Sequence, residues 1–344
     1  MNLGVKYKDK FISGNKSEEN KFILSDKNAI NECKILMKMF ERIYGNGILS
    51  GQHCNKASAT DFEYTKIITG KTPAIVGFDF LSYSLSTKTD ESDFDCIDEI
   101  INNRGSVEKA LDLGENSDVI ITFCWHWFSP INGRKKSFYT ENTDFNLEKA
   151  LIPGTEENTA IIKDLDAIAM ELKKFNDKNI PILWRPLHEA SGGWFWWGAW
   201  GAEACIKLYR LMYDRYVNHH NLHNLIWIWN TNDKEWYPGD DVVDIMSNDY
   251  YSHIGDHNPL VDEFTKTDEV TNGLKPVCIG ENGPIPDPEL IKESGAKWLW
   301  FMTWNNFSGR KLWNTREELI GFYNNNYVIN MEDIRKIRNS IESY

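Results

Sequence analysis

Two glutamates carry the clearest chemistry in this sequence. Glu189 closes the run Trp184-Arg185-Pro186-Leu187-His188-Glu189, and Glu281 closes Pro276-Val277-Cys278-Ile279-Gly280-Glu281. Each stands where an apolar run gives way to polar and glycine residues. A pair of carboxyls suits cleavage of a glycosidic bond, where one protonated group releases the leaving sugar oxygen and a second, ionised group attacks the anomeric carbon or activates water there. A double displacement needs the two about 5 to 5.5 Å apart, room for a sugar carbon without an extra water.

Such a pair must be positioned by the elements that carry it. Eight short apolar runs recur, at Gly47 to His53, Pro73 to Phe80, Asp118 to Trp127, Ile180 to Glu189, Asn224 to Asn230, Val243 to Tyr251, Pro276 to Glu281 and Lys297 to Trp304. Most are continuous rather than alternating, as expected of parallel strands covered on both faces. Helical spacing lies between them. In Thr159 to Asn176, Ile161, Ile162, Leu165, Ile168, Leu172 and Phe175 fall on one stripe. Asp93 to Leu113 and Ala202 to Val217 read as further helices, and Lys27 to Tyr44 as a leading helix.

Eight strands with intervening helices predict an α/β protein of one domain, a (β/α)8 TIM barrel, rather than an open doubly wound sheet. Residues 1–45 are expected to pack on the barrel and 46–344 to form it. No GxGxxG or GxxxxGK[ST] phosphate loop is present. In a barrel the chemistry gathers at the carboxyl ends of the strands. Those ends supply His53, Asp79, His126 between two tryptophans, Arg185 with His188 and Glu189, Asn230, Asp249 with Tyr251, Glu281, and Trp304 with Asn305. They predict a polar cleft with aromatic walls.

Composition narrows the field. The 344 residues are 41% hydrophobic and 26% charged, near globular averages, with a formal net charge of -13. That charge and the absence of a basic run argue against nucleic acid. No window reaches the roughly 18 consecutive apolar residues of a membrane span. The six cysteines are scattered without a CxxC pair or zinc spacing, so free buried thiols are expected. No metal or other cofactor is implied. The 14 tryptophans either pack the core or form flat platforms on which sugar rings stack.

The sequence resembles the family 26 glycoside hydrolases, a family of (β/α)8-barrel glycosidases best known as β-mannanases. RPLHEASGGWFWWG at 185–198 is similar to the family signature around the acid/base, and GENG at 280–283 looks like its nucleophile motif. GQH at 51–53, GFDF at 77–80, WHW at 125–127, NDYY at 248–251 and FMTW at 301–304 extend the resemblance over nearly the whole chain. The resemblance implies that Glu189 is the general acid/base and Glu281 the nucleophile. It implies that His188 contacts sugar beside the cleavage point or supports the nucleophile, and that His126 lines the subsite of the reacting sugar. Trp194 and Trp304 would stack on sugar rings, and Tyr251 would orient Glu281. Ala190-Ser191-Gly192 follow Glu189 where the family pattern is close to Met-Asn-Gly.

The expected activity is retaining endo-β-1,4-mannanase action on mannan, glucomannan or galactomannan. A β-1,3-1,4-glucanase or β-1,3-xylanase of the same family and a non-catalytic carbohydrate-binding protein are the alternatives. Arg185 is expected to hold a carboxylate ionised inside the barrel. Trp196 and Trp197 could either pack their loop or touch sugar. His219, His220 and His223 read as solvated surface rather than a metal site. A monomer is expected, with β-mannan as its partner and neither nucleic acid nor membrane. Met1 to Asn20 is polar and lysine-rich without a secretory apolar segment. A polymer substrate argues for an extracellular enzyme whose leader has been removed; a cytoplasmic enzyme acting on imported oligosaccharides is the alternative.

Overall fold

A computed structural model of the protein describes residues 22–55, 59–308 and 313–342. The polar, lysine-rich start read in the sequence, Met1 to Asn20, lies outside them. Seven parallel strands pair in chain order: β1 (Gly51–His53), β2 (Ile75–Asp79), β3 (Ile120–Cys124), β4 (Ile182–Arg185), β5 (Leu225–Asn230), β6 (Ile245–Tyr250) and β7 (Val277–Asn282). They match seven of the eight expected runs.

The eighth run, Lys297 to Trp304, forms no continuous ladder. It closes the barrel through isolated parallel bridges instead, Gln52 to Thr303 on one side and Asn282 to Thr303 on the other. Backbone hydrogen bonds knit this seam: Thr303 N–H donates to Gly51 O at 3.2 Å, His53 N–H to Thr303 O at 2.8 Å and Asn282 N–H to Met302 O at 2.8 Å. Gly51 allows the close approach, because a Cβ there would stand 2.4 Å from Phe301 O.

Side-chain alternation assigns each strand face. In β2, Val76 and Phe78 join the outer core under the helices, while Ile75 belongs to a second cluster inside the barrel. Ile121 and Phe123, Ile182 and Trp184, and Trp227 and Trp229 likewise face outward. The inward residues run from apolar at the entry end (Ile75, Ile120, Leu183, Ile226, Ile245) to polar at the exit end (Asp79, Arg185, Asn230, Asp249). The entry end is plugged by a helix at Asn31–Ile43, whose Leu36, Met37 and Phe40 share the inner cluster with Trp300, Ile334 and Ile337. Ile48–Leu49 pairs in parallel with Val328–Ile329 beside that plug.

β7 breaks the alternation at Glu281. Val277 and Ile279 pack in the outer core, so period-2 geometry would send Glu281 outward too. A register shift opposite Asn248 and Asp249 pairs Asp249 with Glu281, and this bulge turns the glutamate into the barrel mouth.

The helices largely follow the expected spacing. Thr159 to Asn176 lies within Glu156–Asn176, whose N-cap Thr155 accepts from the Asn158 N–H. The run Asp93 to Leu113 is corrected: it divides into Phe94–Asn103 and Ser106–Asn116, because Gly105 takes a left-handed conformation between them. The third helix covers Gly201–Asp214 and ends in one π-type turn, Arg215–His219.

Most of the tryptophans serve packing. Trp125, Trp127, Trp184, Trp196, Trp197, Trp227, Trp229 and Trp298 are fully buried, which resolves Trp196 and Trp197 as loop packing rather than sugar contacts. Trp194 is 48% exposed. The histidine cluster is corrected as well: His220 Nε2 lies 2.7 Å from Asp166 and His223 Nδ1 lies 2.8 Å from Asp26, so two of the three are carboxylate-paired rather than merely solvated.

Candidate active site

The polypeptide leaves β4 through a tight turn in which Leu187 and Glu189 both adopt positive φ, 52° and 56°. Left-handed backbone at two non-glycine residues is uncommon, and here it lifts Glu189 off the strand into the mouth. The Glu189 N–H donates to Asn230 Oδ1 at 2.8 Å, and Asn230 Nδ2 donates to Asp249 Oδ1 at 2.8 Å. The ends of β4, β5 and β6 are thereby tied together beneath the carboxyl.

Glu281 is buried and grasped by both oxygens. Arg185 Nη2 donates to Oε1, and the Tyr251 hydroxyl donates to Oε2 at 2.7 Å. Arg185 also donates to Asp249 Oδ2 at 2.7 Å, so one guanidinium bridges two buried carboxyls. One oxygen from each of Glu189, Asp249 and Glu281 lies within 4.8 Å of the others. That closeness belongs to the shorter of the two carboxyl spacings used in glycoside cleavage.

The electrostatics favour a proton on Glu189. Burial raises the pKa of Glu189 and the negative Glu281 raises it further, against the hydrogen bond from Trp194 Nε1 to Glu189 Oε2 at 2.9 Å. Burial also pushes Asp249 well up, with Glu281 and Glu189 adding to it against the pull of Arg185. Tyr251 is pushed far up by burial and by the Glu281 charge, so its hydroxyl keeps its proton and donates.

A second buried chain of polar groups reaches the same place from β2. Asp79 Oδ2 accepts from His126 Nδ1 at 2.5 Å, and Asp79 Oδ1 accepts from the backbone N–H of His126 and of Leu81. Burial alone would lower the pKa of His126, but the charge and hydrogen bond of Asp79 outweigh it and the net shift is upward. His126 Nε2 faces His188 Nε2 at 3.3 Å, and His188 Nε2 stands 3.9 Å from Glu281 Oε1. Burial, Arg185 and His126 hold His188 well below the usual imidazole range, so it is neutral. Its Nδ1 is buried without a hydrogen-bond partner among the described residues.

The expected site residues therefore converge, with differences of depth. His188 is only 1% exposed, which leaves it little surface for sugar and places it as a neighbour of Glu281. His126 and Trp304 line an open cleft, while the exposed Trp194 stands beside Glu189. Trp304 stacks on His53 with ring centroids 3.9 Å apart. Trp194 lies so close over Gly192 that a Cβ there would stand 2.0 Å from the indole. Asp79, Asn230, Asp249 and His53 carry contacts for which sequence reasoning assigned no role; their position at strand ends was the available signal.

Two groups among the described residues bring three metal-ligand types together, Glu189 with Asp249 and Glu281, and Asp79 with Cys124 and His126. In the first, the Arg185 guanidinium already supplies positive charge between two of the carboxyls. In the second, His126 Nδ1 is engaged by Asp79 and burial pushes the Cys124 thiol well up. Neither donor set is free for a cation.

Known proteins carry the same framework. The sequence model described as "Glycosyl hydrolase family 26" matches residues 25–333. A mannan endo-1,4-beta-mannosidase of Thermothelomyces thermophilus is 37% identical over 91% of this chain and 63% of its own length. Mannan endo-1,4-beta-mannosidase A of Piromyces sp is 34% identical over 89% of this chain and 49% of its own. This chain thus spans about half to two thirds of the length of these curated relatives. Among solved structures, the GH26-CBM35 beta-(1,4)-mannanase of Podospora anserina superposes with a TM-score of 0.84 at 35% identity, over 94% of this chain and 72% of that one. A beta-mannanase from a symbiotic protist of the termite Reticulitermes speratus, complexed with gluco-manno-oligosaccharide, gives 0.81 at 31% identity over 91% and 97%. The family match runs from ahead of the entry helix into the last helix of the barrel, and the chain belongs to glycosyl hydrolase family 26.

Proposed function

We propose that this chain is a retaining endo-β-1,4-mannanase acting on mannan, glucomannan or galactomannan. The carrying observation is the placement of Glu189 and Glu281 with carboxyl oxygens within 4.8 Å across the barrel mouth. The names of the relatives and the oligosaccharide bound in the termite-symbiont enzyme support the substrate class.

In the first step Glu281 attacks the anomeric carbon and forms an ester bond. The glycosidic C–O bond breaks, and its oxygen takes the proton from Glu189. Esterification removes the Glu281 charge, so the Glu189 pKa falls and it becomes a base. In the second step Glu189 takes a proton from water, whose oxygen attacks the same carbon; the ester bond breaks and Glu281 leaves as a carboxylate. Two inversions give net retention. Arg185 and Tyr251 hold both Glu281 oxygens and fix the carboxylate for attack. Trp194 stacks on the sugar beyond the cleavage point and His126 lines the subsite of the reacting sugar.

The protein is proposed to act as a monomer and outside the cell, since an intact polysaccharide cannot cross a membrane. Among the described residues no helix is long and apolar enough to span one.

Proton NMR during early hydrolysis of manno-oligosaccharides is expected to show the β-anomer first, and initial α-product would refute the double displacement. With an aryl mannobioside whose phenol leaves unprotonated, Glu189→Ala should give a burst followed by slow turnover, and Glu281→Ala should give none. Preferential release of reducing ends from mixed-linkage glucan or β-1,3-xylan would replace the mannan assignment.

A further inference from the structure

One concavity beside the catalytic pair does not lie over the glutamates. It is a cleft of about 440 Å³ whose inner end is formed by His53, Asp79, His126 and Trp304. Those residues belong to β1, β2, β3 and the closing segment, whereas Glu189, Asn230, Asp249 and Glu281 stand on β4 to β7. Trp194 follows the acid/base residue on the β4 side and hydrogen-bonds it. The acid protonates the oxygen of the departing part of the substrate, so that part leaves on the Trp194 side. The part that stays bonded to Glu281 must extend the other way, over β1 to β3 and into this cleft.

The helix Phe94–Asn103 forms its outer wall. Asp93 caps this helix by accepting from the Cys96 N–H at 2.9 Å, and the helix buries Cys96, Ile100 and Asn103. Its other face presents Phe94, Asp98 and Asn102 to the cleft at helical spacing. Phe94 is 81% exposed, the most exposed large apolar side chain among the described residues. Single exposed apolar residues are ordinary on protein surfaces. This one is aromatic, stands in the first turn of a capped helix, and lines a cleft that reaches His126 and Trp304. Burial in the core does not explain it.

Charge narrows the ligand. The cleft's lysine, Lys136, is neutralised by Glu99 at 2.9 Å, and Asp95 and Asp98 are exposed beside Phe94. An acidic polysaccharide would be repelled. A neutral chain of hexopyranoses offers C–H faces to the ring and hydroxyl donors to the carboxylates.

We infer that this cleft binds the part of the polysaccharide that stays on Glu281, and that Phe94 is its outer stacking platform, contacting a sugar ring beyond the one that reacts. The inference rests on the mannanase reading. Phe94 thereby sets how long the retained part must be for efficient cleavage.

The test is a series of aryl β-mannosides with glycones of increasing length, assayed with wild type, Phe94→Ala, Phe94→Leu and Phe94→Trp. In the wild type kcat/KM should rise when the glycone reaches Phe94. Phe94→Ala and Phe94→Leu should lose about three- to tenfold at that length and remain unchanged on the shortest substrates, while Phe94→Trp keeps the rise. An unchanged series in Phe94→Ala, or an equal loss at every length, overturns the platform. If the wild type cleaves the corresponding glucosides and not the mannosides, the mannan assignment fails separately, and the glucoside series then tests Phe94 in the same way.

Discussion

The surroundings of Glu189 favour a proton on it, and one of its hydrogen bonds opposes that. The Trp194 indole N–H favours the ionised carboxylate. Trp194→Phe keeps an aromatic surface and removes the donor, so the Glu189 pKa should rise. The basic limb of kcat/KM on mannan should then move to higher pH, with the value at the optimum within about threefold of wild type. A limb that moves to lower pH would show that the donor supports the protonated form. Asp79 and His126 make a second demand. The Asp79 pKa is lowered, since His126 outweighs its burial, and this contribution to stability is lost as pH falls through the carboxylate range. The His126 pKa is raised, so its contribution is present below about 6.5 and is lost as pH rises through the folded-state value. The pair therefore stabilises most between about pH 4 and 6.5. Asp79→Asn should cost about 2–4 kcal/mol in that window and less at pH 9, as thermal melts across pH would show. The two glutamates were legible because each ends an apolar run inside a specific motif. The partnerships of Asp79 with His126 and of Arg185 with Asp249 were not, because each joins residues on different strands and depends on which inward positions share a layer.

At the scale of elements, strand runs covered on both faces are the easiest feature to read, and seven of them became ladder strands. The eighth shows where reading from pattern stops. Its apolar residues are right for a strand, yet its hydrogen bonds reach β1 and β7 only in isolated bridges. The bulge that turns Glu281 inward was also invisible, since Gly280 permits it without requiring it. The split between Phe94–Asn103 and Ser106–Asn116 did have a visible mark in Gly105, which the helical periodicity on either side obscured. The closing seam is sensitive at Gly51. A Cβ there would meet Phe301 O at 2.4 Å and Met302 Cε at 2.9 Å. Gly51→Ala should destabilise by about 1–3 kcal/mol, seen as a lower denaturant midpoint at unchanged slope. An unchanged midpoint would mean that the seam can open without cost to the barrel.

Across the whole molecule, all six cysteines are free and buried. The native protein should give no fast reaction with a thiol reagent, six thiols should appear on denaturation, and reductant should leave the melting temperature unchanged. A fast-reacting native thiol would contradict the packing described for these side chains. The barrel's closure also sets a schedule for its synthesis. Gln52 Nε2 donates to Thr303 O across 251 residues of chain, and Ser50 Oγ donates to Asn330 Oδ1 across 280. A ribosome adding about 5 to 20 residues each second needs roughly 12 to 50 s to supply the first of these partners after Gln52 emerges. During that interval β1 has β2 beside it but no closing neighbour, and its open edge can capture a strand from another nascent chain. The sequence places Ser50, Gln52 and His53 along that edge. All three are buried in the finished barrel, so that edge is covered only when the end of the barrel arrives.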